Sequence, residues 1–418
     1  MKLFKGTVKI KTNYLLVFAV CMIIWQVLHL LSCSRFRSAI SSNVLIDLRG
    51  SDRKSALKFI KDNTDIVDDT TNEGDSLETM FTKRLTKERQ TDIPEVKVTR
   101  ASSCRDGLNP EYPCIDTNCT GQVKSVNHTN LREFIDSQYR VPEAYLDAIG
   151  NMRKRTRHHK VVLVSATSDN HFMESLVFLK NVQEVMFPAM ANIDFHFVMY
   201  DLGMTSEQRV NMENLCQCEV RDFPFESFPK RLQRLKCYTW KPIIISANLP
   251  VSDILLWADA STRFTNINML PLLKQIKASG VMVSKIIRAL GQHFSPKMME
   301  YYGERSCHFS PYWEFEANFI GLANDRFVRE AIIAPWVSCA FAPDCMCPDG
   351  SHKMLKCNVK VREYNKCHRF DQSSLNIILI KLFQDNMQKM TMPKSLFHEI
   401  KRGDRLDKYV DVKHLRHI

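Results

Sequence analysis

Apolar residues are distributed along this chain in three distinct textures. From Tyr14 to Cys33 twenty mostly apolar residues run without a charge, preceded by Lys2, Lys5, Lys9 and Lys11. At the helical rise this length matches the hydrocarbon thickness of a bilayer. The pattern predicts a signal-anchor; a cleaved signal peptide would have a shorter apolar core and a small-x-small site, which is not evident before Arg35. The lysines predict a cytoplasmic tail over 1–13 and a lumenal or extracellular course for everything after the anchor. Residues 34–157 form the second texture, with few apolar runs and stretches such as Asp65 to Asp75 that bury too little surface to offset their ordering entropy. This predicts a largely disordered stem.

The third texture, from residue 158 to 418, alternates apolar runs with amphipathic segments. Strands are expected at Lys160 to Thr167, Ile193 to Tyr200, Cys218 to Phe223, Asp253 to Trp257 and Val281 to Ile287. Between them, helices are expected over Phe172 to Met186, from a capping box at Thr205 to Gln208 on to Leu215, after Pro242 to Leu249, and over Met269 to Ala278, stopped by Gly280. Strands alternating with helices predict an α/β domain with a mainly parallel sheet flanked by helices.

Composition refines this picture at three points. Fourteen cysteines occur, twelve beyond the anchor, and an even lumenal count predicts disulfides. The densest group, Cys339, Cys345, Cys347, Cys357, Cys367 and His368, has zinc-ligand residue types, but its C-x-C spacing and an oxidising compartment favour cystines of undetermined pairing. The sequons at Asn118 and Asn127 predict N-glycosylation. The net charge of +12 includes the run Arg153 to Lys160. Behind an anchor this run reads as a hinge, with an acidic-glycan contact as the minority reading and nucleic acid excluded as a partner.

In an open α/β sheet ligands bind beyond the carboxyl ends of the strands. That rule selects Ser165 to Asn170, Asp201 and the sequence Trp257-Ala-Asp259-Ala-Ser261 at the exit of the most apolar strand. If the backbone stays extended, Asp259 and Ser261 face one way and can hold a hard cation that neutralises a diphosphate leaving group. Lys241, Arg263 and Arg288 are candidate phosphate partners, and Trp240 and Trp313 candidate stacking platforms for a base or sugar. No G-x-S-x-G elbow and no H-E-x-x-H helix is evident, which argues against a hydrolase.

This order of elements, with an apolar strand ending in an acid-x-acid-like motif, resembles the GT-A glycosyltransferases, typically Golgi type II proteins. Glu314 to Gly321 is similar to the acceptor-side strand and turn of that fold, and Asp371-Gln-Ser-Ser-Leu-Asn376 to an "Asp-Gln-x-x-Leu-Asn" helix start. The set SATSDNHF, YDLG, YTWKP and WADAS resembles an uncharacterised GT-A-like family of invertebrate type II membrane proteins, over about residues 158–400. The resemblance implies a nucleotide-sugar donor, a glycan or glycoprotein acceptor and a Golgi or endoplasmic-reticulum location. It assigns Asp371 as base with Glu316 second, Asp259, Ser261, Arg263 and Lys241 to the donor, and Asp259, Ser261 and the late His398 to Mn²⁺ or Mg²⁺. Ser261 departs from that pattern, which has a second acid there. The departure leaves open a catalytically inactive carbohydrate-binding or scaffolding protein on the same fold.

Overall fold

The computed structural model of the chain describes residues 74–87, 93, 118–136, 139–153, 156–354, 357 and 363–405, all inside a unit spanning Thr70–Ile418. The expected tail 1–13 and anchor 14–33 lie outside the described residues. Among the described residues no helix is long and apolar enough to cross a membrane.

In chain order the main elements are α1 (Leu77–Thr86), α2 (Leu131–Asp136), α3 (Leu146–Asn151), β1 (His159–Thr167), α4 (Phe172–Asn181), β2 (Phe195–Asp201), α5 (Ser206–Leu215) and β3 (Glu219–Asp222). Then follow α6 (Trp240–Asn248), β4 (Ser252–Ala258), β5 (Thr262–Phe264), α7 (Leu270–Ser279), β6 (Val281–Ala289), α8 (Pro296–Tyr301), β7 (Trp313–Phe315) and β8 (Phe319–Ala323). The last are α9 (Ala334–Phe341), α10 (Phe370–Phe383), β9 (Thr391–Met392) and β10 (His398–Ile400).

The principal sheet has the order β3-β2-β1-β4-β8-β6-β7, with β9 added to β6. Strands β1 to β4 are mutually parallel. β8 enters antiparallel to both β4 and β6, and β6 pairs antiparallel with β7 and parallel with β9. β5 and β10 form a small separate ribbon. The result is a mostly parallel sheet between helices. Alternation along β1 explains the layering: Val162, Val164 and Ala166 join one core with Ile243 and Ile244 of α6, whereas Val161 and Leu163 join a second with Phe178 of α4 and Leu272 of α7.

Local signals act as expected at several element ends. Thr205 and Gln208 form a reciprocal capping box on α5. α7 stops at Gly280, whose φ of +82° suits a residue without Cβ. The basic run reads as part of the strand entry and not as a free hinge: Arg157 pairs with Asp194 at 2.8 Å and Lys160 with Asp253 at 3.1 Å.

The boundary at residue 157 needs correction. Leu77, Met80, Phe81 and Arg84, spaced i, i+3, i+4, i+7, make one buried face of α1. Phe81 stacks on Phe327 at 5.3 Å, and Arg84 reaches Asp325 and lies 4.9 Å over the same Phe327 ring. Leu131, Phe134 and Tyr139 are buried in the same core. The strap from 118 is fastened by a Cys119–Cys307 cystine, by Val126 N–H donating to Lys381 O at 2.7 Å and by Lys124 N–H donating to Glu304 at 3.0 Å. A short stripe of four side chains inside a polar stretch suffices to recruit these residues, which is why average polarity misread them.

Ten described cysteines pair as Cys119–Cys307, Cys216–Cys218, Cys237–Cys347, Cys339–Cys345 and Cys357–Cys367. Two His–Cys groups come within ligand distance, Cys119/Cys307/His308 and His293/Cys357/Cys367. Their sulfurs are cystine sulfurs, with no thiolate to offer a metal.

Candidate active site

From β1 the chain steps outward to β2 and β3, then returns through α6 to place β4 on the other flank of β1. The reversal opens a crevice beyond the carboxyl ends of β1 and β4. Asp259 leaves β4 at this crevice, its N–H donating to Asn318 O at 2.8 Å. The backbone does not stay extended: Thr262 N–H donates to Asp259 O at 2.8 Å, closing a turn over Asp259 to Thr262. The expectation that Asp259 and Ser261 share a face through extended backbone is therefore corrected.

Lys241, one residue into α6, is 2 % exposed and donates to Ala317 O between two carboxylates. Its Nζ lies 2.7 Å from Asp371, 3.0 Å from Asp259 and 3.0 Å from Ala317 O. Burial alone would push this ammonium down, but the two carboxylates overcome that, and its pKa is raised. Asp259 also accepts from Trp257 Nε1 at 2.8 Å. Asp371, 4 % exposed in the first turn of α10, is raised above the usual carboxylate range by burial, with Asp259 adding and Lys241 offsetting. One ammonium thus serves two acids, and the more buried acid is the one that burial raises.

The rest of the Asp371-Gln-Ser-Ser-Leu-Asn376 motif positions that acid. Asn376 clamps Phe315, accepting from its N–H at 2.7 Å and donating to its O at 2.8 Å, as a neighbouring strand would. Gln372 donates to Glu314 and accepts from Ala317 N–H. Glu314 is fully buried and accepts from His293 Nδ1 at 2.8 Å; burial would raise its carboxyl, but His293 prevails and holds it lowered. Trp336 Nε1 donates to Asp371 O at 2.9 Å.

The other expected site residues are placed as follows. Glu316 is buried, its N–H donating to Ser284 O, and its Oε2 lies 3.9 Å from His398 Nε2. His398 is 0 % exposed, packs 4.6 Å from Phe319, and neither ring nitrogen has a hydrogen-bond partner among the described residues. Arg263 is turned inward, donating to Ala260 O and Thr262 O and pairing with Asp404 at 3.3 Å, so it ties loops and does not face a donor. Asp201 caps its own turn by accepting from Gly203 and Met204 N–H. Trp240 and Trp313 are core residues, 7 % and 2 % exposed, not open stacking platforms. Asn118 and Asn127 are exposed.

The three expected cation ligands differ in what already engages them. The β5–β10 register sets His398 opposite Phe264 and Ile400 opposite Thr262. Lys401 N–H then donates to Ser261 O at 2.8 Å, so the residue beside Ser261 is a lysine. Asp259 has already taken up Lys241, and Ser261 brings no charge. This donor set does not fit a divalent cation held by Asp259, Ser261 and His398.

Several site residues were not foreseen. Tyr238 and Phe370 both adopt left-handed backbone, at φ +55° and +47°, and their rings meet at 6.3 Å beside Lys241 and Asp371. Bulky residues seldom tolerate that region, and such outliers concentrate at functional sites. Tyr238 is 37 % exposed, its ring 5.6 Å from Lys241 Nζ, and the Cys237–Cys347 cystine anchors it from behind. Across the crevice His171 is raised by its bond to Glu174 and feels both Asp259 and Arg402. Arg402 is carried there by the segment after β10, pinned by Gly403 N–H donating to Glu174 at 2.7 Å. No spacing rule finds a left-handed tyrosine; for Arg402 the basic Lys-Arg-Gly after the last apolar run was the available signal.

The family described as "Protein of unknown function (DUF1647)" matches residues 122–246. No curated protein sequence matches. Among solved structures the chain is similar to the WbbM bifunctional glycosyltransferase at 14 % identity and a TM-score of 0.35, covering 58 % of this chain and 40 % of that one. It is also similar to core-mannan synthase A from Aspergillus fumigatus in its Mn/GDP form, at 9 % identity and a TM-score of 0.32, covering 73 % and 86 %. Mouse xyloside xylosyltransferase 1 is similar at 9 % identity and a TM-score of 0.33, covering 56 % and 84 %. The chain spans less than half the length of the first of these, and it resembles GT-A-like glycosyltransferases.

Proposed function

We propose that this protein is a glycosyltransferase that moves a sugar from a nucleotide-sugar donor to a glycan or glycoprotein acceptor in the lumen of the secretory pathway, held to the membrane through residues 14–33. The observation that carries the reading is the buried Lys241–Asp371 pair, with the partly exposed Asp259 at its edge, at the sheet's reversal point. Burying a charge pair is costly and is retained where its geometry is used. Asp371, with its raised pKa, takes the proton of the acceptor hydroxyl as that oxygen bonds to the anomeric carbon and the diphosphate leaves. Lys241 holds both carboxylates in register, and Tyr238 gives the sugar or base an aromatic face. Arg402 and His171 supply positive charge where the diphosphate departs. No step is assigned to a divalent cation, because Asp259 is already paired with Lys241 and Ser261 carries no charge. Five cystines support an oxidising compartment.

The neutral Ser261 favours one rival, a silent binding protein. Thermal-shift titration of the full chain with UDP-, GDP- and CMP-sugars, with Mn²⁺ and with EDTA, decides between them. A donor-specific shift that persists in EDTA, with donor turnover abolished in Asp371→Asn, supports the transferase. Binding without turnover in any acceptor mixture supports the rival, and a shift that appears only with Mn²⁺ overturns the reading of the cation site.

A further inference from the structure

β6 leaves the core after Ser284. Its last residues, Lys285 to Arg288, lie at the surface, with Ile287 58 % exposed. The pairing with β7 breaks register between Ile286 and Ala289, a bulge that takes Arg288 out of strand alternation. Arg288 is half-buried and makes no hydrogen bond or ion pair among the described residues. Its neighbour Arg369 precedes α10, two residues before Asp371, and lies 3.9 Å from Glu314. That carboxylate is already engaged by His293 and Gln372. Burial, then Arg369, push the Arg288 guanidinium below its ordinary range; Glu314 opposes them and Arg402 adds to them. Two arginines thus share Glu314, which His293 and Gln372 already engage, with Glu316 the other acid acting on Arg288, an arrangement that an incoming anion relieves.

Resting on the transferase reading, we infer that the acceptor carries an anionic group, a sulfate ester or a carboxylate, received by Arg288 and Arg369 on the Glu314 side of the site. The placement separates this anion from the donor diphosphate. Arg288 stands on β6, beyond β8 in the sheet, whereas the crevice that would hold the donor lies between β1 and β4. Arg369 lies two residues from the proposed base, so an anion held there sets an acceptor hydroxyl next to Asp371. The planar guanidinium fork suits bidentate capture of sulfate or carboxylate.

The test is calorimetric binding of the full chain to three hexasaccharides of equal length: chondroitin 4-sulfate, its desulfated form retaining carboxylates, and the desulfated, carboxyl-reduced neutral form. At least one anionic form is expected to bind ~10-fold or more tightly than the neutral form, the two anionic arms telling sulfate from carboxylate. Arg288→Gln is expected to erase most of that difference, and Arg288→Lys to keep part of it. Saturating UDP is expected to leave it intact. Equal affinity for all three, a preference surviving in an Arg288→Gln/Arg369→Gln variant, or displacement by UDP would each overturn the proposal. UDP, GDP and CMP binding read on the same samples separates the two claims: a chain that keeps the anionic preference but binds none of these nucleotides retains this site and loses the transferase reading.

Discussion

At the scale of single residues the molecule concentrates its unusual features around Lys241. Replacing it by Met leaves Asp371 buried without a counter-ion, a change expected to cost roughly 3–5 kcal/mol of stability. Urea unfolding measures the loss. Asp371→Asn keeps shape and removes the ionisable group. We expect donor binding within a few-fold of wild type and turnover down by at least ~10²-fold. Because Asp371 is raised, the acid limb of turnover should lie above the ordinary carboxylate range, activity falling as pH drops through it and the base becomes protonated. A limb at the ordinary aspartate value would refute that role. His368 provides an independent pH effect. Its Nδ1 accepts from Ser295 N–H and its Nε2 faces Met346 O, so it folds as the neutral ring, pushed down by burial to about 4. The unfolded ring protonates near 6.5, so stability present above that pH is lost as pH falls from 6.5 towards 4, by of order 3 kcal/mol. Unfolding midpoints at pH 7.5 and 4.5, with His368→Gln as the flat control, test this.

Among elements, helix and strand identities were legible because their signals are local. The capping box, the glycine stop and the two-sided apolar strands act within a few residues of where they are read. The contacts made by element ends were not. Gly280 ends α7, and a Cβ added there would also meet Arg84, which arrives from α1 nearly two hundred residues earlier in the chain. Gly280→Ala is therefore expected to cost ~1–2 kcal/mol for the left-handed backbone alone, and more through displacement of Arg84. The double variant with Arg84→Ala should show coupling; strict additivity in unfolding free energy would show that the two do not touch. The D-x-S motif failed for a related reason. Its spacing assumed a straight strand exit, and a hydrogen bond between Thr262 and Asp259 turns it.

For the molecule as a whole, the domain begins well before residue 158. Burying Leu77, Met80, Phe81, Leu131 and Phe134 is worth roughly 1.5–3 kcal/mol each, a sum comparable to the entire net stability of a typical domain. A chain starting at residue 158 is thus expected to aggregate or stay unfolded, and one starting at 74 to unfold cooperatively. Far-UV dichroism and a thermal melt of both distinguish them, and equal melts would remove α1 and the strap from the core. The Cys119–Cys307 cystine fastens that strap, and replacing both cysteines by serine should cost ~2–5 kcal/mol.

The sequence alone determined β1 to β4, β6, the helices between them and the strand exit at Asp259, because periodicity, caps and turn residues encode these within short windows, whereas the helix start at Asp371 was legible only through a family resemblance. Only the tertiary structure decided what meets at the site. That Lys241 bridges two acids from different elements, that Lys401 and not His398 lies beside Ser261, and that α1 belongs to the core all depend on registers and packing between segments far apart in the chain. Such contacts leave no local pattern, since they are selected by how whole elements stack and which buried charges find partners.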